Sequence, residues 1–224
     1  EDDPRIEFQN MHAAYNGLRE KDFNQEYFKA WKNGMTGYPM VDACMRALTA
    51  TGWLNFRMRA MLMSFASYHL WLHWREPALH LAKLFTDYEP GIHYSQVQMQ
   101  SGTTGINAIR IYNPIKQGMD QDPEGVFIRR WIPELREVEQ AYIHTPWHVE
   151  SQMNGYPMPI VDEKTARKAA ADKLYGLRKN NPEHKQTAQK IVKKHGSRKS
   201  GFPKTAQKKQ SNSNAQGDLF EGII

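Results

Sequence analysis

The segment from Asn55 to Trp74 constrains the fold most, because its apolar residues surround nearly the whole helical projection. Its length approaches the roughly 20 residues of a membrane span. However, Arg57, Arg59, His69 and His73 lie within it. Charged side chains are rarely placed in lipid, so we predict a central helix buried in a protein core and no membrane span. The two arginines then need an anionic partner such as a carboxylate or a phosphate.

The sequence on either side of this segment also indicates helices. Apolar residues recur at three- and four-residue steps, and no segment shows the clear alternation that is typical of a strand. Pro39 is placed to open one helix that Gly52 ends, and Asp162 is placed to cap another. We therefore predict an all-α fold. Its helices lie within 4–31 and over 39–51, 76–86, 123–131 and 162–179, with 144–159 irregular.

The composition limits which kinds of protein this chain can be. The chain has 224 residues, 40% of them hydrophobic, which is enough for one core of ordinary domain size. The single cysteine, Cys44, excludes a disulfide framework and any multi-cysteine metal site, and it favours a cytoplasmic location. His69 and His73 have the four-residue spacing of metal ligands, but no third ligand lies between them, so we predict no metal site.

The net charge of +6 comes from one region. Residues 178–209 contain 11 Lys or Arg and one acidic residue, whereas the rest of the chain has 19 basic and 23 acidic residues. The charge is therefore no argument for nucleic-acid binding by the folded part. Residues 180–217 are also poor in apolar side chains, so we predict a helical domain over 1–179 and a disordered basic tail over 180–224. The tail either neutralises DNA phosphates or only keeps the protein in solution.

The stretch from Asp87 to Pro114 is polar in an apolar context. It contains three glycines, two prolines and several Gln and hydroxyl residues, yet strongly apolar segments flank it. A polar loop enclosed by a core usually holds a ligand or a partner. We therefore predict a ligand-binding loop over this stretch.

Four collinear motifs connect the sequence to a known family. They are Trp31–Leu48, Thr51–Arg59, Tyr112–Pro114 and Asp122–Leu135. Together they resemble the FAD-binding helical domain of DNA photolyases and cryptochromes, over about residues 28–179. The resemblance implies an all-helical domain that binds FAD in a bent form and uses blue light to drive electron transfer. In photolyases the reduced flavin donates an electron to a pyrimidine dimer in DNA, and the dimer then splits.

The resemblance also implies a set of cofactor residues. Asp87 and Glu89 take the positions of the two acidic residues beside the isoalloxazine edge, and Arg59 pairs with the first of them. His93 falls where photolyases usually carry an Asn that faces flavin N5, and Asn55 joins this set. His93 either tunes flavin protonation or simply hydrogen-bonds to the backbone. The Arg59–Asp87 pair is explained equally well as an ion pair that ties helix to loop.

The tryptophan electron chain of the family is incomplete here. Its member nearest the flavin aligns with Val97 and its surface member aligns near Lys21, so only the middle member, Trp74, is retained. Trp74 and His93 are therefore the candidate catalytic residues. The aromatic residues that could replace the missing members are Tyr88, Tyr94, Trp71 and Trp53, although a buried tryptophan usually fills the core.

The DNA-contacting positions also depart from the family. By motif position they are Asn55, Phe56, Met99 and Gln117, and Met99 replaces the tryptophan that stacks on the lesion. Methionine lacks the aromatic face that makes stacking worth about 1–3 kcal/mol per base. Two functions stay open: blue-light-driven repair of pyrimidine dimers in damaged, duplex or single-stranded DNA, or cryptochrome-like photoreception that binds FAD without repair. The basic tail favours the first function, and Val97 with Met99 favours the second.

The two ends of the sequence carry further expectations. Family members have an antenna domain and a hydroxyl-rich FAD-phosphate loop upstream, and this acidic N-terminus lacks an initiating Met. We expect the chain to be the C-terminal half of a larger flavoprotein and to bind FAD poorly alone. The peptide Gln216-Gly-Asp-Leu219-Phe220 resembles the motif that docks bacterial DNA-maintenance proteins on the replicative sliding clamp. Leu219 and Phe220 are its apolar anchors; alternatively, the segment folds back onto the domain.

Overall fold

The computed structural model describes residues 3–195, and over this range the chain is helical without a strand. The all-α prediction is confirmed. Short 3₁₀ helices precede α1 and also lie between α7 and α8. The α-helices are α1 (Gln25–Lys32), α2 (Pro39–Thr51), α3 (Phe56–Ser64), α4 (Arg75–Leu84), α5 (Pro90–Ser101), α6 (Pro114–Gln121), α7 (Val126–Trp131), α8 (Glu163–Asn180) and α9 (His184–His195).

Helix α2 lies at the centre of the core. Pro39 occupies its first turn, where a missing N–H leaves no bond unmade, and Gly52 ends it in the left-handed conformation, as predicted. Most of its side chains are fully buried. Helices α1, α3, α6 and α7 pack around it, so its position determines theirs.

The first turn of α2 contains a buried carboxylate, Asp42. It accepts hydrogen bonds from the Thr36 N–H at 2.9 Å, the Thr36 hydroxyl at 2.7 Å, the Gly37 N–H at 2.9 Å and the Tyr156 hydroxyl. Burial raises the pKa of Asp42 to about 6, and these hydrogen bonds oppose that rise. Gly37 has φ +81°, and a Cβ there would overlap the Met158 carbonyl oxygen. Asp42 therefore joins α2 to the segment that leads into α8.

The central apolar segment is not one helix, in contrast to the prediction. Helix α3 ends at Ser64, and a π turn, Phe65–His69, follows. Trp71 then takes φ +53°, a left-handed conformation that a bulky residue rarely adopts. The guanidinium of Arg19 lies 4.5 Å from the centroid of the Trp71 ring. We attribute the break to this tertiary contact, which helical periodicity does not encode.

The predicted ligand-binding loop contains a helix, α5, over 12 of its 28 residues. The Glu89 side chain caps it by accepting from the Ile92 N–H at 2.7 Å, Pro90 occupies its first turn, and Gly102 ends it. Its buried Gln98 accepts from the Met11 N–H at 2.7 Å and donates to the Ile6 and Gln9 carbonyls, also at 2.7 Å. Part of the polarity of this stretch therefore serves to fix the N-terminal segment.

The predicted start of the disordered tail at residue 180 is wrong. Helix α8 is capped by Asp162, as predicted, but residues 184–195 form a further helix, α9. His184 fixes α9 to the body: its ring stacks on His12 with centroids 4.3 Å apart and makes a 3.1 Å hydrogen bond with the Tyr15 hydroxyl. Residues 196–224 lie outside the described part. Among residues 3–195, no helix combines the length and the apolarity needed to cross a bilayer.

We expect Tyr156→Phe to lower the free energy of unfolding by about 1–3 kcal/mol, because it leaves the buried Asp42 carboxylate without one donor. Urea unfolding followed by circular dichroism measures the change. Tyr142→Phe is the matched control, because its ring is exposed and its loss of a hydroxyl should change stability by less than about 0.5 kcal/mol. Equal stability of the two variants would contradict a structural role for this hydrogen bond.

Candidate functional site

An open cavity of about 150 Å³ lies between α3, α4 and α5. Its apolar wall consists of Ala60, Met63, Leu81, Phe85 and Val97. Its polar lining consists of Arg59, Asp87, Glu89, His93, Gln96 and Gln100. A pocket with an apolar wall and a few convergent polar groups is the usual form of a ligand site.

Arg59 is held on three sides at one wall of the cavity. Its Nε donates to the Leu54 carbonyl at 2.7 Å, its Nη2 donates to Asp87 Oδ2 at 2.8 Å, and its guanidinium carbon lies 4.1 Å from the centroid of the Phe85 ring. Because these contacts come from the segment before α3 and from the segment between α4 and α5, the positive charge has a fixed place at the cavity. The predicted Arg59–Asp87 pairing is confirmed.

The two carboxylates at the start of α5 differ in what holds them. The hydrogen bond from Arg59 lowers the pKa of Asp87 below its usual value. Half of the Asp87 side chain remains exposed, so its carboxylate can also meet a ligand. Glu89 caps α5 at the Ile92 N–H, as described above, and lines the same cavity. The site therefore has a negative rim beside one fixed cation.

Three aromatic rings surround the His93 side chain. Its ring is edge-on to Phe85, Tyr88 and Tyr94, with centroids 6.1, 5.4 and 5.1 Å away. Its Nε2 is 2.9 Å from the Ala78 carbonyl oxygen, which can only accept, so Nε2 carries the proton. Burial lowers the pKa of His93 below 6.5 and so favours the neutral ring. In that form Nδ1 carries no proton and can accept a hydrogen bond.

The comparison with known proteins agrees with this geometry. A family model described as the FAD binding domain of DNA photolyase matches residues 1–175. The chain belongs to the DNA photolyase and cryptochrome family. The resemblance seen in the four sequence motifs is thereby confirmed over most of the chain.

Both branches of the family are among its relatives. A deoxyribodipyrimidine photo-lyase from Streptomyces griseus is 41% identical over 152 residues, which are 66% of this chain and 33% of that protein. Cryptochrome-2 from Arabidopsis thaliana is 40% identical over 162 residues, 67% of this chain and 26% of that protein. The chain therefore spans about a third of the length of the curated relatives it matches.

The fold is shared with solved photolyases. The crystal structure of an archaeal photolyase from Sulfolobus tokodaii with two FAD molecules matches with a TM-score of 0.72 and 32% sequence identity. The match covers 80% of this chain and 40% of that one.

The cavity fits the ring end of a flavin. The Gln96 Oε1 is buried and has no hydrogen-bond partner within residues 3–195, so it can accept from a ligand N–H. The apolar wall suits an aromatic ring, and Arg59 suits its electron-rich edge. A volume of about 150 Å³ is below the roughly 300–1,000 Å³ of sites that enclose a whole drug-sized ligand, so this cavity by itself has room for only part of a molecule as large as a dinucleotide.

The structure separates the predicted site residues into two groups. Arg59, Asp87, Glu89, His93 and Phe56 line the cavity, and the Phe56 ring is 59% exposed at its mouth. The other predicted residues, Asn55, Trp74, Met99 and Gln117, are not part of the lining.

Local contacts explain why the second group lies elsewhere. The Asn55 Oδ1 caps α3 by accepting from the Met58 N–H at 3.0 Å. Trp74 is buried, and its indole N–H donates to Asn10 Oδ1 at 2.8 Å. Gln117 is buried in α6 against α2. The proposed DNA-contact roles of Asn55, Met99 and Gln117 therefore stay predictions from motif position.

The candidate aromatic substitutes for electron transfer also differ in position. Tyr94 is buried and Tyr88 is partly exposed, and both contact the His93 ring at the cavity. Trp71 has two cations over its ring, Arg19 at 4.5 Å and Lys173 at 4.4 Å. Positive charge disfavours the oxidation of a nearby ring, so the two tyrosines are better placed than Trp71.

Sequence reasoning missed the two glutamines of the lining, Gln96 and Gln100. Both follow His93 at helical spacing, three and seven residues later, and share its face of α5. Reading this stretch as a loop hid that periodicity. The N-cap Glu89 followed by Pro90 was the signal that could have revealed the helix.

We expect Arg59→Leu to raise the pKa of Asp87 towards its ordinary value, because the lowering depends on the Arg59 hydrogen bond. Carboxyl-carbon NMR titration of the full chain measures this. Asp87 stabilises the fold above its unfolded-state pKa and loses that contribution as the pH falls through its lowered folded-state pKa. In the variant the two pKa values approach each other, so this pH-dependent contribution should shrink. Arg57→Leu is the matched control, and the same Asp87 shift in both variants would contradict the assignment.

Proposed function

We propose that this chain binds FAD at the α3–α4–α5 cavity and provides the flavin domain of a photolyase that splits pyrimidine dimers in DNA under blue light. The observation that carries this proposal is the fixed Arg59–Asp87 pair beside Glu89 and His93, on an apolar cavity, in a chain of the photolyase family. Relatives named as deoxyribodipyrimidine photo-lyases support it.

FAD, when bound, supplies a light-excitable electron donor. Arg59 holds positive charge at the cavity wall and favours electron density on a bound ring. Neutral His93 keeps Nε2–H on the Ala78 carbonyl and can accept a proton at Nδ1. Gln96 Oε1 and the Asp87 carboxylate orient N–H groups of the ligand. These residues thus bind, orient and adjust protonation, while the apolar wall excludes water.

The mouth of the cavity is suited to a base. Phe56 and Ile92 are both lining residues, and they are 59% and 64% exposed. Large apolar side chains that remain exposed beside a polar site often mark a binding surface. The Phe56 ring therefore offers an aromatic face close to the flavin position, while Met99 offers none.

The proposal is tested in two steps, beginning with FAD binding. The full chain is titrated with FAD and followed by flavin fluorescence, together with Asp87→Asn and Asp120→Asn. Asp120 forms an exposed ion pair with Lys116 at 2.9 Å, so its variant has the same charge change away from the cavity. We expect Asp87→Asn to bind about tenfold more weakly or worse, because it removes a charged hydrogen-bond partner. Equal binding by both variants would reject the cavity as the site.

The second step measures repair. The chain is saturated with reduced FAD, mixed with dimer-containing DNA and irradiated with blue light, and recovery of pyrimidine absorbance is recorded. Recovery on duplex or single-stranded DNA supports repair. FAD binding without recovery would reject it and leave the flavin site intact.

A cryptochrome-like photoreceptor is the second candidate function. Val97 lies in the cavity wall at the place of the family's inner aromatic electron donor, and Met99 replaces the stacking tryptophan. The similarity to Cryptochrome-2 is consistent with this candidate. A light-induced change in the flavin spectrum without repair of either DNA substrate would favour it.

The C-terminal peptide remains a separate prediction. Gln216, Leu219 and Phe220 lie outside the described residues, and sliding-clamp docking rests on their sequence pattern alone. Cytoplasmic location also remains a prediction from cysteine usage.

We expect Phe56→Ala to weaken binding of dimer-containing DNA by about 1–3 kcal/mol, because it removes the exposed aromatic face at the cavity mouth. Fluorescence anisotropy with labelled DNA measures the affinity. Phe8→Ala is the matched control, because its ring is 60% exposed and is not part of the cavity lining. Equal losses in the two variants would show that Phe56 has no special role.

A further inference from the structure

Helix α8 carries a stripe of lysines on its outward face. Lys164, Lys168, Tyr175 and Lys179 are all exposed, and they fall within about 60° of one another around the helix axis. The buried residues Ala170 and Leu174 lie on the opposite side of α8 and pack against the body. The stripe therefore faces solvent along a length on the order of 22 Å.

The stripe is locally unfavourable for the helix. Lys164 and Lys168 are an i,i+4 pair of like charge, which destabilises a helix by about 0.2–0.5 kcal/mol. Lys164 also lies in the first turn of α8, where the helix dipole disfavours a cation. An ordinary solvated helix would alternate charges instead. The exposed Tyr175, 56% accessible between the lysines, adds a ring that the core does not use.

The charge continues along α9. Among the described side chains of α8 and α9, eight Lys or Arg are exposed, compared with one exposed acidic residue, Asp172. The His184 contacts with His12 and Tyr15 fix the start of α9 against the body. Cations held on fixed helices can contact phosphates without the entropy loss of ordering a free chain.

The stripe is remote from the flavin cavity. Helix α8 packs on the π turn at the C-terminal end of α3, whereas Phe56 and Arg59 lie at the opposite end of α3. Phe56 and His69 are 13 positions apart in the sequence, so the two surfaces lie at different ends of α3 and its π turn.

We infer that the outward face of α8, with α9, is a second DNA-binding surface that contacts the phosphate backbone of duplex DNA without sequence or lesion preference. Lysine ammonium groups neutralise phosphates. The Tyr175 hydroxyl can donate a hydrogen bond to a phosphate oxygen, a contact that is common at such interfaces. This surface requires neither flavin nor damage, so it stands apart from the repair proposed above.

The test compares variants of the full chain on a labelled undamaged duplex, in the dark and without FAD. Lys164→Gln, Lys168→Gln and Lys179→Gln are combined, because Gln and Lys have similar helix propensities. Each lost phosphate contact lowers the magnitude of the slope of log K against log salt by about 0.9. We therefore expect this magnitude to fall by about 2.7 if all three lysines bind phosphates. The basic tail is present in every variant, so its contribution cancels.

A matched variant removes the same charge elsewhere. Lys21→Gln, Lys29→Gln and Arg136→Gln change three exposed cations outside α8 and α9. An equal fall in slope for this variant, or no fall for the α8 variant, would overturn the inference. Binding to anionic lipid vesicles but not to DNA would also overturn it. A Lys→Arg version of the α8 variant should keep the slope, and its loss would show that helix disruption is the cause.

Discussion

The Asp42 carboxylate in the first turn of α2 is the interaction on which the rest of the structure depends. Burying a charge is costly, and this one is stabilised by the N–H and hydroxyl of Thr36, the N–H of Gly37 and the hydroxyl of Tyr156. These donors come from both sides of α2 in the sequence. Once they close on Asp42, α2 is fixed, and α3 with its cavity residues and α8 with its lysines are placed relative to it.

The Arg59–Asp87 pair differs from the Asp42 cluster in both its exposure to solvent and its contribution to stability. The Arg59 and Asp87 side chains are 26% and 50% exposed, so their ion pair contributes little to stability. Arg59 is nevertheless fixed by the Leu54 carbonyl and the Phe85 ring. The pair therefore contributes more to the charge and shape of the cavity than to stability, which is the premise of the proposed flavin site.

Local signals made much of the fold predictable. Pro39, Gly52 and Asp162 mark helix ends by chemistry that acts within a few residues, so the ends of α2 and the start of α8 could be predicted. The resemblance to the family, carried by the four motifs, paired Arg59 with Asp87 from the sequence alone. Both kinds of signal lie within short stretches of sequence.

What the sequence did not reveal depends on contacts between distant residues. The break after α3 involves Arg19 and Trp71, which are 52 residues apart. Helix α9 depends on His184 meeting His12 and Tyr15, and no composition rule for residues 180–195 contains that information. The glycines and glutamines of α5 suggested a loop because the partners of Gln98 lie near residue 10.

The proposed second DNA-binding surface depends on where charges lie and not on the net charge of the folded body. Residues 3–177 contain 19 basic and 19 acidic residues, so the folded body as a whole does not attract phosphates. At physiological ionic strength, however, charges are screened beyond about 8 Å. A lysine stripe on the order of 22 Å long therefore attracts phosphates that lie next to it. The charges on the far side of the domain are too distant to change this attraction. In the proposed surface, affinity for DNA then depends on where the cations are fixed, and α8 holds Lys164, Lys168 and Lys179 on one exposed face.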